Sequence, residues 1–285
     1  MKHKLCLAVV LLAAATSAQA AITCNLSATG VTGNYTAAAN TRLTGSLTVN
    51  CARLASDSGA TVTYYISMDQ GEPPAGRNMT RQGGTQLLAY TVFRNSSFTG
   101  SWTTGGGRAP NNTGNGGLDF TINWNGALNS SATVPYYFEV AAGITRPAGI
   151  YDDVPTFSIF TTRGGTLLGA ASYVANISIV AECFFNSAIP AVTVNYPSFS
   201  ATARTGSSSY SLSCTLSTPY TMAVTPTAGT LMGLNYTVAP SAASGTGSAF
   251  PQTYSVTATV PADQSGTCAV GACAATQAHQ ITITY

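Results

Sequence analysis

Tyr173-Val174-Ala175-Asn176-Ile177-Ser178-Ile179-Val180-Ala181 alternates with a period of two, placing Tyr173, Ala175, Ile177, Ile179 and Ala181 on one face of an extended strand. A second such stretch, Gln280-Ile281-Thr282-Ile283-Thr284-Tyr285, closes the sequence. The first runs directly into Cys183 and a further hundred residues; nothing printed follows the second. In an immunoglobulin-type sandwich the seventh strand pairs beside the sixth and covers the core. The expectation is that the first half carries its seventh strand at 173–181. The second half would then stop on its sixth, leaving a groove and an open edge.

The rest of the chain repeats this style. Segments 43–50, 61–68, 87–94, 118–124, 134–141 and 156–161 alternate and are rich in Thr, Val, Ile and Tyr. So do 191–196, 209–215, 221–225, 234–238, 254–260 and 280–285, with glycine- and asparagine-rich turns between them. A helical period is found only in the first twenty residues. The expected class is all-β: two immunoglobulin-like β-sandwich domains, 21–182 and 183–285, the C-terminal one lacking its last strand and completed by a strand from another chain.

Residues 1–20 begin with Lys2 and Lys4, run apolar from Leu5 to Ala15 and end Ala18-Gln19-Ala20, the pattern of a secretory signal cleaved before Ala21. Of 285 residues only 11 are Lys or Arg and 9 are Asp or Glu. Losing Lys2 and Lys4 leaves nine Arg against nine acids, so a mature net charge of zero, with no basic patch for nucleic acid. Six cysteines remain after export, an even count that reads as disulfides. Cys24–Cys51 and Cys183–Cys214 repeat a similar interval at the start of each half, and Cys268–Cys273 makes a local clip. Metal binding is the rival reading, but there is no CxxC and His279 is the one mature histidine. No metal and no cofactor are expected.

The chain also carries Arg77-Asn78-Met79 before Leu88-Ala89-Tyr90, Trp102 in the following loop, and Pro147-Ala148-Gly149-Ile150-Tyr151-Asp152-Asp153. With the early cysteine pairs, these residues resemble the spore coat protein U-type domains of archaic chaperone–usher pili, here two in tandem. The second half departs from the pattern, with Cys273-Ala274-Ala275-Thr276-Gln277-Ala278 where the Gly-x-Tyr-x-Asp segment would stand. Family subunits carry a donor strand before the first cysteine, whereas only Ala21-Ile22-Thr23 precedes Cys24 here. The resemblance therefore implies a two-domain tip adhesin that accepts a strand and donates none. Its implied partners are a periplasmic pilus chaperone, an outer-membrane usher and an adjacent pilin subunit donating a strand. Its implied destination, through the periplasm, is the cell surface at the pilus tip.

The loops at the pole away from the second domain are expected to carry function. Leu54, Ala55, Phe98, Ala127 and Leu128 would form an apolar patch for abiotic or hydrophobic host surfaces, promoting attachment and biofilm formation; alternatively Leu54 and Leu128 fold back as loop anchors. His279, Ile281, Ile283 and Tyr285 would face the chaperone or donor strand. Trp102 and Trp124 with Asn111, Asn112 and Asp119 could make a sugar pocket, although tryptophans beside a sandwich are more often core. Asp152-Asp153 reads as turn capping rather than acid–base work, and Gly105-Gly106-Gly107 lacks the Lys and helix of a phosphate loop. No catalytic residues are expected. A structural coat or matrix protein, and an exported carbohydrate-binding module, are the alternatives.

Overall fold

A computed structural model describes residues 22–57, 59–69, 77–102, 117–269 and 271–285. The signal segment, Asn111, Asn112 and the triple glycine lie outside them. The first half folds into β1 (Thr23–Ala28), β2 (Val31–Tyr35), β3 (Thr41–Ala52), β4 (Thr61–Met68), β5 (Arg77–Arg81), β6 (Leu87–Phe93), β7 (Leu118–Asn123), β8 (Asn129–Val140), β9 (Gly149–Asp153), β10 (Thr156–Phe160), β11 (Leu167–Ser172) and β12 (Ala175–Ile179). The second contains β13 (Cys183–Phe185), β14 (Arg204–Cys214), β15 (Pro219–Thr225), β16 (Ala228–Leu231), β17 (Leu234–Pro240), β18 (Ser244–Thr246), β19 (Gln252–Val260) and β20 (Gln280–Thr284). No helix is assigned among the described residues.

Two sheets build each half. In the first, the order β1-β3-β8-β6-β5-β9-β12-β2 faces β11-β10-β4-β7; in the second, β13-β14-β19-β17-β16 faces β18-β15-β20. Alternation drives this: along β3 the residues Leu47, Val49 and Cys51 are buried while Thr48 and Asn50 point away from the core. The first core is aromatic, with Tyr136, Phe157 and Tyr173 packed at ring separations of 4.8–5.6 Å. The second is built on Tyr210, Leu212, Tyr220, Met222, Val224, Val238 and Val256. Cys24–Cys51 ties β1 to β3, Cys183–Cys214 ties β13 to β14, and Cys268 bonds Cys273.

Two expectations need correction. The arm that completes the first sandwich starts before residue 173: β11 pairs β10 in the second sheet, and the chain then crosses to pair β9 and β2 as β12. Tyr173 sits at the crossing, its ring in the core. Segment 191–196 alternates like a strand but joins no ladder. Its inner residues find a core to pack on, while its backbone finds no neighbour to pair with.

Candidate functional site

The two halves can be compared strand by strand. In the first, β10 lies between β4 and β11, and β12 lies between β9 and β2, parallel to β2. Every backbone edge along this seam is paired, and Ala175, Ile177 and Ile179 are buried.

In the second half β20 pairs β15 as β10 pairs β4, with Met222 opposite Ile283 and Val224 opposite Ile281. Among the described residues no strand pairs the other edge of β20. Ile281 and Ile283 are accordingly only half-buried on the second core, whereas Phe157 and Ile159 of β10 are fully enclosed.

Residues 187–196 follow β13 as β2 follows β1, and they make no backbone–backbone hydrogen bond within the described chain. Val192, Val194 and Tyr196 pack half-buried on the second core; Ala191, Thr193 and Asn195 are exposed. A Cβ at Gly206 would overlap the Thr193 carbonyl, so the glycine lets this segment lie directly on β14. Buried backbone polar groups find partners almost without exception, in the protein or in water. An extended, apolar-faced segment whose backbone pairs with no neighbour has the form of an open strand edge.

His279 holds the start of β20. Its Nδ1 donates to the Pro226 carbonyl at 2.7 Å, and its Nε2 is 3.0 Å from the Tyr236 hydroxyl, which donates to Gln277 at 2.6 Å. The ring is thus engaged with its own domain. Tyr285 is 57% exposed, just past the strand.

The other candidate site lies on the first sandwich. Ile179 stands opposite Tyr35, whose hydroxyl donates to the Ala141 carbonyl at 2.9 Å, so the chain leaves for the second half from the end where β3 begins and β8 finishes. Leu54, Ala55, Ala127 and Leu128 all sit at the opposite end, roughly 35 Å along the twelve-residue β3 at ~3.3 Å per residue. All four are exposed, Leu54 at 57% and Leu128 at 47%.

Arg53 braces this end. Its guanidinium lies over the Trp124 ring at 4.9 Å, Nε donates to the Ala127 carbonyl at 3.0 Å and Nη1 to the Gly59 carbonyl. The Arg53 amide donates to the Leu128 carbonyl at 2.9 Å, and Asp57 accepts from the Leu54 amide at 3.0 Å. The two leucine-bearing loops are joined to each other and to a buried tryptophan. The positive φ of Asn125 and Gly126 makes the tight turn, closed by the Ala127 amide donating to the Trp124 carbonyl at 2.8 Å, that carries the chain from one sheet to the other and presents Ala127 and Leu128.

Phe98 is not with them. It is half-buried at the other end of the sheet, against Phe93 and Tyr137, with Arg42 stacked on its ring at 4.2 Å. Trp102 is buried edge-on against Phe157, Asp119 pairs with Arg163 at 3.3 Å, and Asp153 accepts from Tyr90 at 2.6 Å. Asp152 accepts from Gln82 at 2.9 Å. The described members of the supposed sugar pocket therefore do not converge. No group of three His, Cys, Asp or Glu that could hold a metal occurs among the described residues.

A model of the Spore Coat Protein U domain matches residues 9–157. No curated protein matches the sequence. Among solved structures, the chaperone–tip adhesion subunit pre-assembly complex of the archaic chaperone–usher Csu pili of Acinetobacter baumannii is 12% identical, covering 92% of this chain and 100% of that one at a TM-score of 0.48. The CupB6 tip adhesin from Pseudomonas aeruginosa is also 12% identical, covering 93% and 94% at a TM-score of 0.41.

Proposed function

This chain belongs to the Spore Coat Protein U domain family, and on that premise we propose that it is the tip adhesin subunit of an archaic chaperone–usher pilus. The observation that carries the reading is the contrast between a seam filled by β11 and β12 in the first half and one bounded by unpaired 187–196 and the free edge of β20 in the second. The first half (21–182) is self-completed and the second (183–285) is a strand acceptor. A periplasmic chaperone fills the groove first, the outer-membrane usher exchanges it, and the adjacent pilin subunit donates the final strand. Ile281 and Ile283 supply the apolar floor on one side, Val192 and Val194 on the other. Tyr285 lies at the mouth, and His279 fixes where β20 begins.

Attachment falls to Leu54, Ala55, Ala127 and Leu128, the exposed apolar end farthest from the groove-bearing half. Phe98, held on the other end by Arg42, has no part in it. The surface recognised is abiotic or a hydrophobic host surface, and biofilm formation follows from attachment there. The test is adhesion of cells bearing the fibre to polystyrene and to clean glass. Leu54→Ser with Leu128→Ser is expected to lower retention on polystyrene about tenfold with fibre yield unchanged. Unchanged retention overturns the assignment of these loops.

A further inference from the structure

The outer face of β1, β3 and β8 holds a second group of side chains at the Leu54–Leu128 end. Thr23 lies opposite Ala52 and Asn25 opposite Asn50; across β3, Ala52 lies opposite Asn129 and Asn50 opposite Ser131. Residues in register share a face. Thr23, Asn25, Asn50, Asn129 and Ser131 are all exposed, and they line a shallow depression of 320 Å³.

Asparagine is depleted in strands, because its amide competes for the backbone and favours turns. Asn25 and Asn50 in register, with Asn129 diagonal to Asn50 on the same face, run against local preference, and nothing inside the described chain compensates. The amides of Asn25, Asn50 and Asn129 and the hydroxyls of Thr23 and Ser131 make no hydrogen bond to the rest of the described chain. Local rules broken without internal compensation mark functional positions.

The chemistry of the depression narrows the ligand. No charged side chain lines it, so neither an anion nor a cation is favoured. Ala52, Cys51 and the Thr23 methyl are its apolar groups, and none is a large side chain that would anchor an apolar ligand. Each amide offers a planar pair of donor and acceptor; Asn25 and Asn50 stand at the ~4.8 Å strand spacing, and Asn129 lies diagonally beyond Asn50, one strand over and two residues along. The same sheet face turns charged and aromatic only at its far end, where Arg42 pairs with Glu139 at 2.6 Å beside Tyr137.

We propose that this face binds a neutral polysaccharide, its repeated hydroxyls engaging the Asn25, Asn50 and Asn129 amides. The site adjoins the apolar loops but does not depend on them.

The test is depletion of the full mature chain from solution by cellulose, chitin and starch particles, at low and 0.5 M salt. Retention on one of the three, insensitive to salt, is expected. Asn25→Ala with Asn50→Ala and Asn129→Ala should lower it at least tenfold, about the loss of two hydrogen bonds, with the thermal midpoint unchanged. Leu54→Ser with Leu128→Ser should leave it intact, which separates this site from adhesion to polystyrene. Absence of retention on all three polymers, or retention that survives in the triple variant, overturns the proposal.

Discussion

Ile177 lies opposite Tyr151 across the antiparallel β12–β9 ladder, and both side chains are fully buried. On its other side Ile177 faces Gly33 of β2. One side chain thus stands in the seam that closes the first sandwich. Truncating such a residue removes its transfer energy and leaves a cavity, together about 2–5 kcal/mol. Ile177→Ala is expected to destabilise the first sandwich by that amount in denaturant unfolding of the full chain. A loss under about 1 kcal/mol would mean that β12 is an appendage rather than an integral strand.

Much of this was legible in the alternating stretches. The period-two segments at 43–50, 61–68, 134–141 and 254–260 became β3, β4, β8 and β19, because burial on one face enforces that period. The unpaired edge beyond β20 was legible from the same logic. Two things were not. Segment 191–196 carries a strand's pattern without a strand's hydrogen bonds, since the pattern records which face is buried and not whether a neighbour is present. Phe98 looked like a loop-tip apolar residue, but Arg42 and Tyr137, distant in sequence, draw it onto the sheet. Arg53 gave no signal because its acceptors are backbone carbonyls, which any sequence supplies.

Arg53 is expected to matter beyond its charge. Arg53→Ala removes the contact with Trp124 and two carbonyl hydrogen bonds, a loss of about 1–3 kcal/mol. Arg53→Lys keeps the charge but not the planar fork, and should recover less than half of it. Thermal unfolding of both variants checks this, with protease cleavage at 54–60 rising in step. Full recovery by lysine would show that charge alone is at work.

Asp69 gives a pH dependence of defined sign. Burial raises its carboxyl above the usual range, against the opposing pull of the Thr156 amide and of Arg77, 3.8 Å away. A raised folded-state value means that the folded state binds the proton more tightly than the unfolded chain. Its stabilising contribution is full below the unfolded pKa of 3.8 and is lost as pH rises through the folded value. The wild type should therefore gain stability relative to Asp69→Asn as pH falls from 7 to 4. Paired thermal melts at each pH measure the difference. A shift the other way would assign the ion pair, not burial, the dominant role.

The disulfides should rank by the loops they close. Cys24–Cys51 and Cys183–Cys214 span 27 and 31 residues, Cys268–Cys273 only 5. The chain-entropy relation gives about 3–4 kcal/mol for each long loop and about 2 kcal/mol for the short one. Paired Cys→Ser variants, unfolded in denaturant, are expected to follow that order. Equal losses would show that the short clip organises the 261–279 segment as well as closing it.

The waiting seam of the second half is tested most directly by amide hydrogen exchange on the full mature chain, alone and with a peptide copying 167–181, the arm that forms β11 and β12. Alone, the amides of 191–196 should exchange as fast as an unstructured chain, while those of β12 stay protected. With the peptide, protection should appear together in 191–196 and 280–285, because its first part pairs β20 as β11 pairs β10 and its second part pairs 191–196 as β12 pairs β2. Protection of 191–196 in the free chain, or protection of one edge without the other, would contradict a strand-accepting groove.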